Sequence, residues 1–206
     1  MTTIYLIRHS KPLKVNNSLN SDDLQIQNEK QSLSIEGEHI AQERLTNNEL
    51  SSIDVLYASN YVRTIQTAKY IADKNNLDIN IVSDLGERKF GIATWEELPD
   101  GFERNQFLDE EYKIGNGESQ KEVRERMYRI VMKIVNENKD KRIAIVSHGT
   151  AISYLLKKWC DIEIEDDKLK YIFNGKILLH NYFDYCETFK LEFDGNKLVD
   201  IQNITI

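Results

Sequence analysis

The sequence has few cysteines and lacks long hydrophobic runs. Cys160 and Cys186 are the only cysteines among its 206 residues, too few for a disulfide framework. No apolar run approaches the roughly 20 residues that a membrane-spanning helix needs. A strand pattern follows directly after Met1, without the charged and apolar regions of a signal peptide. We therefore expect a reduced, cytoplasmic protein.

Positive charge is also scarce. The chain has 27 Lys and Arg against 34 Asp and Glu, a formal net charge of −7. This balance argues against nucleic acids and anionic membranes as general partners, and an anionic substrate would need a local basic cluster. The chain has no internal repeat, low-complexity tract or linker. We therefore expect a single domain over residues 1–206, and the sequence does not indicate its oligomeric state.

Strand and helix patterns alternate along the first 160 residues. Short apolar runs predict strands, at residues 4–9, 54–58, 79–82 and 143–146. Apolar stripes at helical spacing predict helices, at residues 34–45, 59–75, 119–138 and 150–160, with Ser34 and Ser59 as N-caps. Residues 11–32 and 84–117 show little periodicity and are expected to be irregular. The tail from residue 171 alternates around Asp194-Gly195, which predicts antiparallel strands.

This alternation predicts an α/β fold. We expect a three-layer α/β/α sandwich around a mostly parallel mixed sheet. Ligands of such sheets bind beyond the carboxyl ends of the strands. The first predicted strand ends in Arg8-His9, and the fourth is followed by Ser147-His148-Gly149. Two histidines are therefore expected at one edge of the sheet.

The residue types at this edge favour anion recognition. An arginine such as Arg8 can bind phosphate oxygens through two N–H groups, and a neutral imidazole such as that of His9 is a nitrogen nucleophile. Gly149 allows backbone to approach a ligand closely. A lone histidine at a strand end is more often half-buried and without function, and His148 could be a hydrogen-bonded core residue. The pair beside an arginine favours the functional interpretation.

Two further residues are candidates for the same site. Arg63 lies early in the second predicted helix, where it would point toward the strand ends beside helix N–H groups. Glu87 lies on an irregular segment, where it could protonate a leaving alkoxide. The alternative for both is an ordinary solvated side chain. Neither His39 nor His180 has metal-ligand spacing, so we expect no metal site.

The combined pattern resembles the histidine phosphatase superfamily, in the branch that includes cofactor-dependent phosphoglycerate mutases. The motifs that carry the resemblance are Leu6-Ile7-Arg8-His9, Ser59-x-x-x-Arg63-x-x-x-Thr67-Ala68, Glu87-Arg88-x-x-Gly91, Gly117-Glu118-Ser119 and Val146-Ser147-His148-Gly149. The resemblance implies that His9 is the phosphorylated nucleophile and Glu87 the proton donor. It implies that Arg8, Arg63 and His148 form the phosphate pocket, on a phosphoglycerate mutase-like fold without a metal or other cofactor.

The sequence departs from the family pattern after the nucleophile. Where the family usually has glycine, an acidic or amide residue and threonine, this chain has Ser10, Lys11 and Pro12. Asn16 is one position out of register with the asparagine of the family, and its phosphate contact is not carried over. Ser10 is expected to donate to a phosphate oxygen, together with the pocket residues and Gly149. Arg88 could contact substrate or be an exposed arginine, and Gly117-Glu118-Ser119 could simply begin a helix.

The segment 92–115 distinguishes between possible functions. It carries seven acidic residues against Arg104 and Lys113, which would disfavour the polyanionic intermediate of a mutase. We therefore expect a histidine acid phosphatase-type phosphomonoesterase acting on a small phosphorylated substrate. The acidic segment leads to the hypothesis that the substrate carries a neutral or cationic organic group. The alternatives are a phosphoglycerate mutase and a non-catalytic module that binds phosphorylated ligands.

Overall fold

The computed structural model describes residues 1–16, 22–165 and 168–204. Its nine strands within these ranges are β1 (Thr2–Arg8), β2 (Val55–Ala58), β3 (Ile79–Ile81), β4 (Arg142–Ser147), β5 (Asp161–Glu165), β6 (Lys168–Phe173), β7 (Lys176–His180), β8 (Thr188–Asp194) and β9 (Lys197–Ile204). Its six α-helices within the same ranges are α1 (Leu24–Lys30), α2 (Ile35–Leu45), α3 (Val62–Asn75), α4 (Phe102–Leu108), α5 (Gln120–Glu137) and α6 (Gly149–Leu156).

A six-stranded, mostly parallel sheet lies at the centre, in the order β3-β2-β4-β1-β8-β9. The first four of these strands are parallel, and β8 pairs antiparallel with both β1 and β9. β1 and β4 are therefore neighbours, and their carboxyl ends lie side by side. The predicted α/β class with a mixed, mostly parallel sheet is confirmed.

The two faces of the sheet are covered by different helices. Along β1, Ile4 and Leu6 pack into a core with α5, α6 and part of the small sheet, whereas Tyr5 and Ile7 pack with α2 and α3. Successive side chains of a strand point to opposite faces, so an uninterrupted apolar run indicates a strand covered on both sides. The three-layer arrangement follows from this pattern.

Three of the four predicted helix starts agree with the structure to within one residue, the last of them at Gly149 of α6. Ser34 caps α2 by accepting a hydrogen bond from the backbone N of Gly37. Ser119 caps α5 in a capping box with Glu122. The prediction that Ser59 caps the next helix is wrong, because α3 begins only at Val62 and the Ser59 hydroxyl bonds elsewhere.

Both segments expected to be irregular contain a short helix. α1 is capped by the Asp23 side chain and buries only Leu24, while α4 buries only Phe102 and Gln106. A seven-residue helix with one or two buried residues leaves too few apolar positions for a periodic signal. Part of the predicted first loop, residues 17–21, lies outside the described residues.

The C-terminal strands divide between two sheets. β8 and β9 join the central sheet through a turn at Gly195, as the Asp194-Gly195 signal predicts. β5, β6 and β7 form a separate three-stranded antiparallel sheet. The preceding helix, α6, was expected to reach Cys160 but ends at Leu156. No helix in the described ranges has the length and apolarity required to cross a membrane.

Candidate active site

His9 and His148 meet at the carboxyl ends of β1 and β4. The register pairs Arg8 with Ser147, which brings the residue that follows each strand to the same place. The two imidazole rings lie edge to face with their centroids 5.1 Å apart. Both side chains are buried, with His9 only 6% exposed. The expected convergence of the two histidines is present.

Arg63 connects the two histidines. Its Nε donates to Nε2 of His9 at 3.1 Å, and its Nη2 donates to Nδ1 of His148 at 3.2 Å. Its Nη1 donates to the backbone oxygen of Asn28 in α1 at 2.5 Å. Arg63 is the second residue of α3, so the start of that helix directs its side chain onto the strand ends. A guanidinium cation is thus buried between two imidazoles.

The hydrogen bonds of His9 define its tautomer. Nδ1 lies 2.7 Å from the backbone oxygen of Ser10, which can only accept, so Nδ1 carries the proton. Nε2 then holds a lone pair, consistent with its acceptance of the Arg63 Nε–H. Burial, followed by the charge of Arg63, lowers the pKa of His9 well below 6.5. His9 is therefore neutral near pH 7, with its lone pair on Nε2.

The hydrogen bonds of His148 define the other tautomer, and they continue through a longer chain of partners. Its Nδ1 faces an arginine N–H and must accept, so its Nε2 donates to Oγ of Ser59 at 2.8 Å. The Ser59 hydroxyl lies 2.8 Å from Oγ1 of Thr64, whose own proton is directed to the backbone oxygen of Tyr61. Burial and the Arg63 charge lower the pKa of His148 well below 6.5. Thr64 had no signal of its own in the sequence, and Ser59 was assigned as a helix cap and as the first residue of the Arg63 motif, not as a partner of His148.

Arg8 lies at the edge of the buried cluster. Its Nη1 donates to the backbone oxygen of Phe183, and its guanidinium carbon lies 4.9 Å from the ring centre of Tyr185. Its Nε is buried and has no hydrogen-bond partner among the described residues. A Cβ added at Gly149 would lie 3.4 Å from this Nε. Glycine at this position therefore leaves room in front of an unsatisfied donor.

Glu87 lies at the first turn of α6. Its carboxylate accepts from the backbone N–H groups of Ala151 at 2.9 Å and Thr150 at 3.3 Å, and from Arg88 N at 2.9 Å. These bonds hold both side-chain oxygens of Glu87 at the start of α6, where backbone N–H groups are available. They also place its carboxyl group beside the residues that follow Gly149. Burial lowers the pKa of Arg63, and the charge of Glu87 opposes this shift.

Ser10 does not have the contact that the sequence suggested. Its hydroxyl donates to the backbone oxygen of Gly37 at 2.7 Å, and its backbone N donates to Thr67 Oγ1 at 3.0 Å. The single hydroxyl proton is therefore used within the protein, and the expectation that it binds phosphate is corrected. Lys11 forms an ion pair with Glu36 on α2.

Arg88 is buried rather than exposed. Its guanidinium binds the Glu103 carboxylate through both terminal nitrogens, at 2.8 and 2.7 Å, and Gln106 at 2.7 Å. It thereby attaches α4 to the segment that carries Glu87. The Gly117-Glu118-Ser119 motif leads into α5, and Glu118 binds Arg126 of that helix at 2.7 Å.

The other two histidines are separate from the cluster. His39 is exposed on α2, and His180 ends β7 at 3.5 Å from Glu165. Over residues 1–16, 22–165 and 168–204, no group of three metal-ligating side chains could hold an ion.

A cavity of about 620 Å³ opens beside the cluster. Arg8, Gly149 and Thr150 are among its lining residues. Glu87 does not line the cavity itself, but it accepts a hydrogen bond from the backbone N–H of Thr150. The site therefore has a polar, buried side and a second, open side.

Solved structures of phosphatases share this architecture. A mutant phosphoserine phosphatase from Entamoeba histolytica in complex with phosphoserine is 18% identical, with a TM-score of 0.67, covering 98% of this chain and 97% of that one. The same enzyme in complex with 3-phosphoglyceric acid is 18% identical, with a TM-score of 0.67, covering 100% and 98%. A mycobacterial glucosyl-3-phosphoglycerate phosphatase in complex with VO3 is 16% identical, with a TM-score of 0.68, covering 99% and 98%. At these identities the similarity establishes the fold.

The sequence comparisons give one family. No curated protein sequence matches the chain. The family described as histidine phosphatase superfamily (branch 1) matches residues 4–194, which include both histidines, both arginines and Glu87. The chain belongs to the histidine phosphatase superfamily, branch 1.

Proposed function

We propose that the protein is a metal-independent phosphatase that hydrolyses a small phosphomonoester through a phosphohistidine at His9. The observation that carries the proposal is the buried cluster in which Arg63 donates to both His9 Nε2 and His148 Nδ1. This arrangement presents a neutral imidazole lone pair next to a fixed cation. A nucleophile for phosphorus and a charge to balance the phosphoryl oxygens are thus adjacent.

In the first step His9 attacks phosphorus. As the phosphoryl group arrives, the Arg63 Nε–H exchanges His9 Nε2 for a phosphate oxygen, which frees the lone pair. The Nε2–P bond forms while the bond from phosphorus to the leaving oxygen breaks in line. Glu87 gives its proton to that oxygen, and the alcohol departs. The Nδ1–H bond to the Ser10 carbonyl stabilises the positive charge of the phosphorylated ring.

In the second step water releases the phosphate. Glu87, now a carboxylate, takes a proton from a water molecule that attacks phosphorus. The Nε2–P bond breaks, its electron pair returns to Nε2, and Glu87 is protonated again. The net reaction consumes one water and yields an alcohol and inorganic phosphate.

The chain's own donors suit the charge of the phosphoryl group. Arg8 offers its unpaired Nε, Arg63 retains N–H groups beyond its three hydrogen bonds, and His148 lies beside both. Two guanidinium groups can stabilise the charge that a metal ion carries in other phosphoryl-transfer enzymes. The relatives crystallised with phosphoserine, 3-phosphoglyceric acid and VO3 support a phosphorylated small molecule as substrate.

Two observations favour a phosphatase over its alternatives. The phosphoserine and glucosyl-3-phosphoglycerate phosphatases that share this fold support hydrolysis rather than isomerisation. A module that only binds phosphorylated ligands has no need of a carboxylate such as Glu87 beside the phosphate pocket.

The test is phosphate release from an aryl phosphate in excess EDTA. We expect wild type and His39→Ala to be active, because His39 is exposed and takes no part in the hydrogen bonds of the cluster. His9→Ala should lose activity by at least about four orders of magnitude. Acid-labile phosphate should be trapped on wild type and be absent from His9→Ala. Equal rates for His9→Ala and wild type would refute the proposal, and isomerisation of phosphoglycerate without hydrolysis would replace it with a mutase.

A further inference from the structure

The cavity beside the histidine cluster is lined mainly by apolar side chains. Two elements that the reaction does not use supply six of its thirteen lining residues. The three-stranded sheet contributes Ile164 and Leu169, and α4 contributes Phe107. Tyr154 and Tyr171 also line the cavity, and their hydroxyls form hydrogen bonds with Gln106 and Ser153, respectively. The lining therefore offers mostly ring faces and aliphatic groups.

Acidic charge contributes little to the selectivity of this cavity. Of the acidic residues in 92–115, only Glu103 lines it, and the buried Arg88 binds its carboxylate through two nitrogens. Arg104 lines the same cavity and carries a positive charge. Other acidic residues of this segment pair with α5, as Glu110 does with Arg124. The hypothesis that acidic residues select a cationic substrate therefore has little support in the geometry.

The position of the cavity matches that of a leaving group. Arg8 and Gly149 both line the cavity, and they adjoin each other at the unpartnered Nε of Arg8. Thr150, a third lining residue, donates a hydrogen bond to Glu87. A phosphomonoester with its phosphate at the histidines and its bridging oxygen near Glu87 would extend its organic part into the cavity.

We propose that this cavity binds the organic group of the substrate, and that this group is largely apolar, an alkyl chain or a ring of at least phenyl size. The proposal rests on the phosphatase function above and adds the substrate class. A volume of about 620 Å³ is within the range of small-molecule sites. Burial of apolar carbon then supplies the affinity that small polar phosphomonoesters would lack.

The first test is binding without turnover. Hexylphosphonate and ethylphosphonate carry the same charged group and differ by four methylenes, so calorimetry on the intact protein isolates the apolar contribution. Each fully buried methylene contributes about fourfold in affinity. We expect hexylphosphonate to bind at least tenfold more tightly, and equal affinities would overturn the proposal.

Two isoleucines of the same small sheet provide a matched pair of variants. Ile164 lines the cavity and is 37% exposed, while Ile177 is 54% exposed and lies outside the lining. Ile164→Asp should reduce the hexyl-to-ethyl affinity ratio at least fivefold, whereas Ile177→Asp should leave it within twofold. Equal ratios for the two variants would show that the preference arises elsewhere and would also overturn the proposal.

Turnover separates this proposal from the phosphatase function. Hexyl phosphate and ethyl phosphate have alkoxide leaving groups of similar basicity, so their kcat/KM ratio reports on the cavity. His9-dependent hydrolysis of both without preference for hexyl phosphate would overturn the apolar cavity and retain the phosphatase. A hexyl preference in binding, removed by Ile164→Asp, with no hydrolysis would retain the cavity and overturn the phosphatase.

Discussion

The two sides of the site are built in different ways. The phosphate side consists of buried, charged and hydrogen-bonded groups on β1, α3 and β4, at the carboxyl edge of the central sheet. The cavity side consists of apolar groups from α4 and the separate three-stranded sheet, and it is open to solvent. The proposed chemistry is thus located on the central sheet, and the proposed recognition of the organic group on peripheral elements. Each side can change without the other, as sites grafted on a common fold do.

After the loss of His9 itself, the largest effect is expected from removing the cation of the phosphate side. Arg63→Ala should lower kcat/KM by about 10³-fold, because His9 and His148 lose their shared donor and the phosphoryl oxygens lose a charge. Arg63→Lys should recover little, since an ammonium cannot replace the fork of N–H groups. Steady-state kinetics with Arg129→Ala, an exposed arginine of α5, provides the control. An Arg63→Ala rate within tenfold of wild type would contradict the assignment.

The next effect separates the leaving-group step from the attack by His9. Glu87→Gln should reduce kcat/KM for an alkyl phosphate by about 10²-fold, because the departing alkoxide needs a proton. For 4-nitrophenyl phosphate the loss should be less than tenfold, because nitrophenolate leaves without protonation. Glu96→Gln, at an exposed position of the acidic segment, should affect neither substrate. Equal losses on both substrates would assign Glu87 a positioning role instead.

The phosphate side should also determine how stability depends on pH. The folded-state pKa values of His9 and His148 lie well below 6.5, so below pH 6.5 the unfolded chain binds protons that the folded protein does not. The free energy of unfolding should therefore fall as pH decreases from 6.5 to 5, by up to about 1.4 kcal/mol per pH unit for each histidine. Urea unfolding measures this slope.

His148→Gln is the matched variant for this measurement. It removes one of the two protonation sites and should halve the slope between pH 6.5 and 5. Carboxylates with lowered pKa values, such as Glu110 and Asp184, titrate below this window because their ordinary values are 4.5 and 3.8. A wild-type stability that is constant over the window would contradict neutral, buried histidines.

The smallest effect is expected on the cavity side. Glu103→Gln should lower the free energy of unfolding by no more than about 1 kcal/mol, because the Glu103 side chain is 65% exposed and Gln106 remains a partner of Arg88. Thermal unfolding with Glu96→Gln as control measures it. A loss above about 3 kcal/mol would mean that this ion pair behaves as a buried one.

The sequence predicted the phosphate side better than the cavity side, for physical reasons. Long apolar patterns mark β1, β4 and α5, because these elements pack into the core. The carboxyl ends of β1 and β4 locate the two histidines. The contact of Ser10 with Gly37 was not predictable, because it depends on where α2 packs. The burial of Arg88 was missed because its partners lie on α4, a helix too short to leave a periodic signal.

The cavity wall illustrates a second limit. Alternating residues after position 170 correctly indicated strands, but alternation does not specify which strand is the partner. The tail therefore gave no indication that β6 and β7 would leave the central sheet and pair with β5. Ile164 and Leu169 accordingly carried no signal as site residues, because their role depends on that pairing.

The pairing of β1 has a consequence for how the chain folds. This strand begins at residue 2, but its two neighbours in the sheet are β4, from residue 142, and β8, from residue 188. Contacts so distant in sequence carry a large loop-closure cost and slow folding. During synthesis the strand that leads to His9 emerges before β4 and β8, so both of its edges can be covered only after β8 has been made. We therefore expect the segment that carries His9 to complete its pairing late in folding, and a chain that ends before β8 to leave that strand with an open edge.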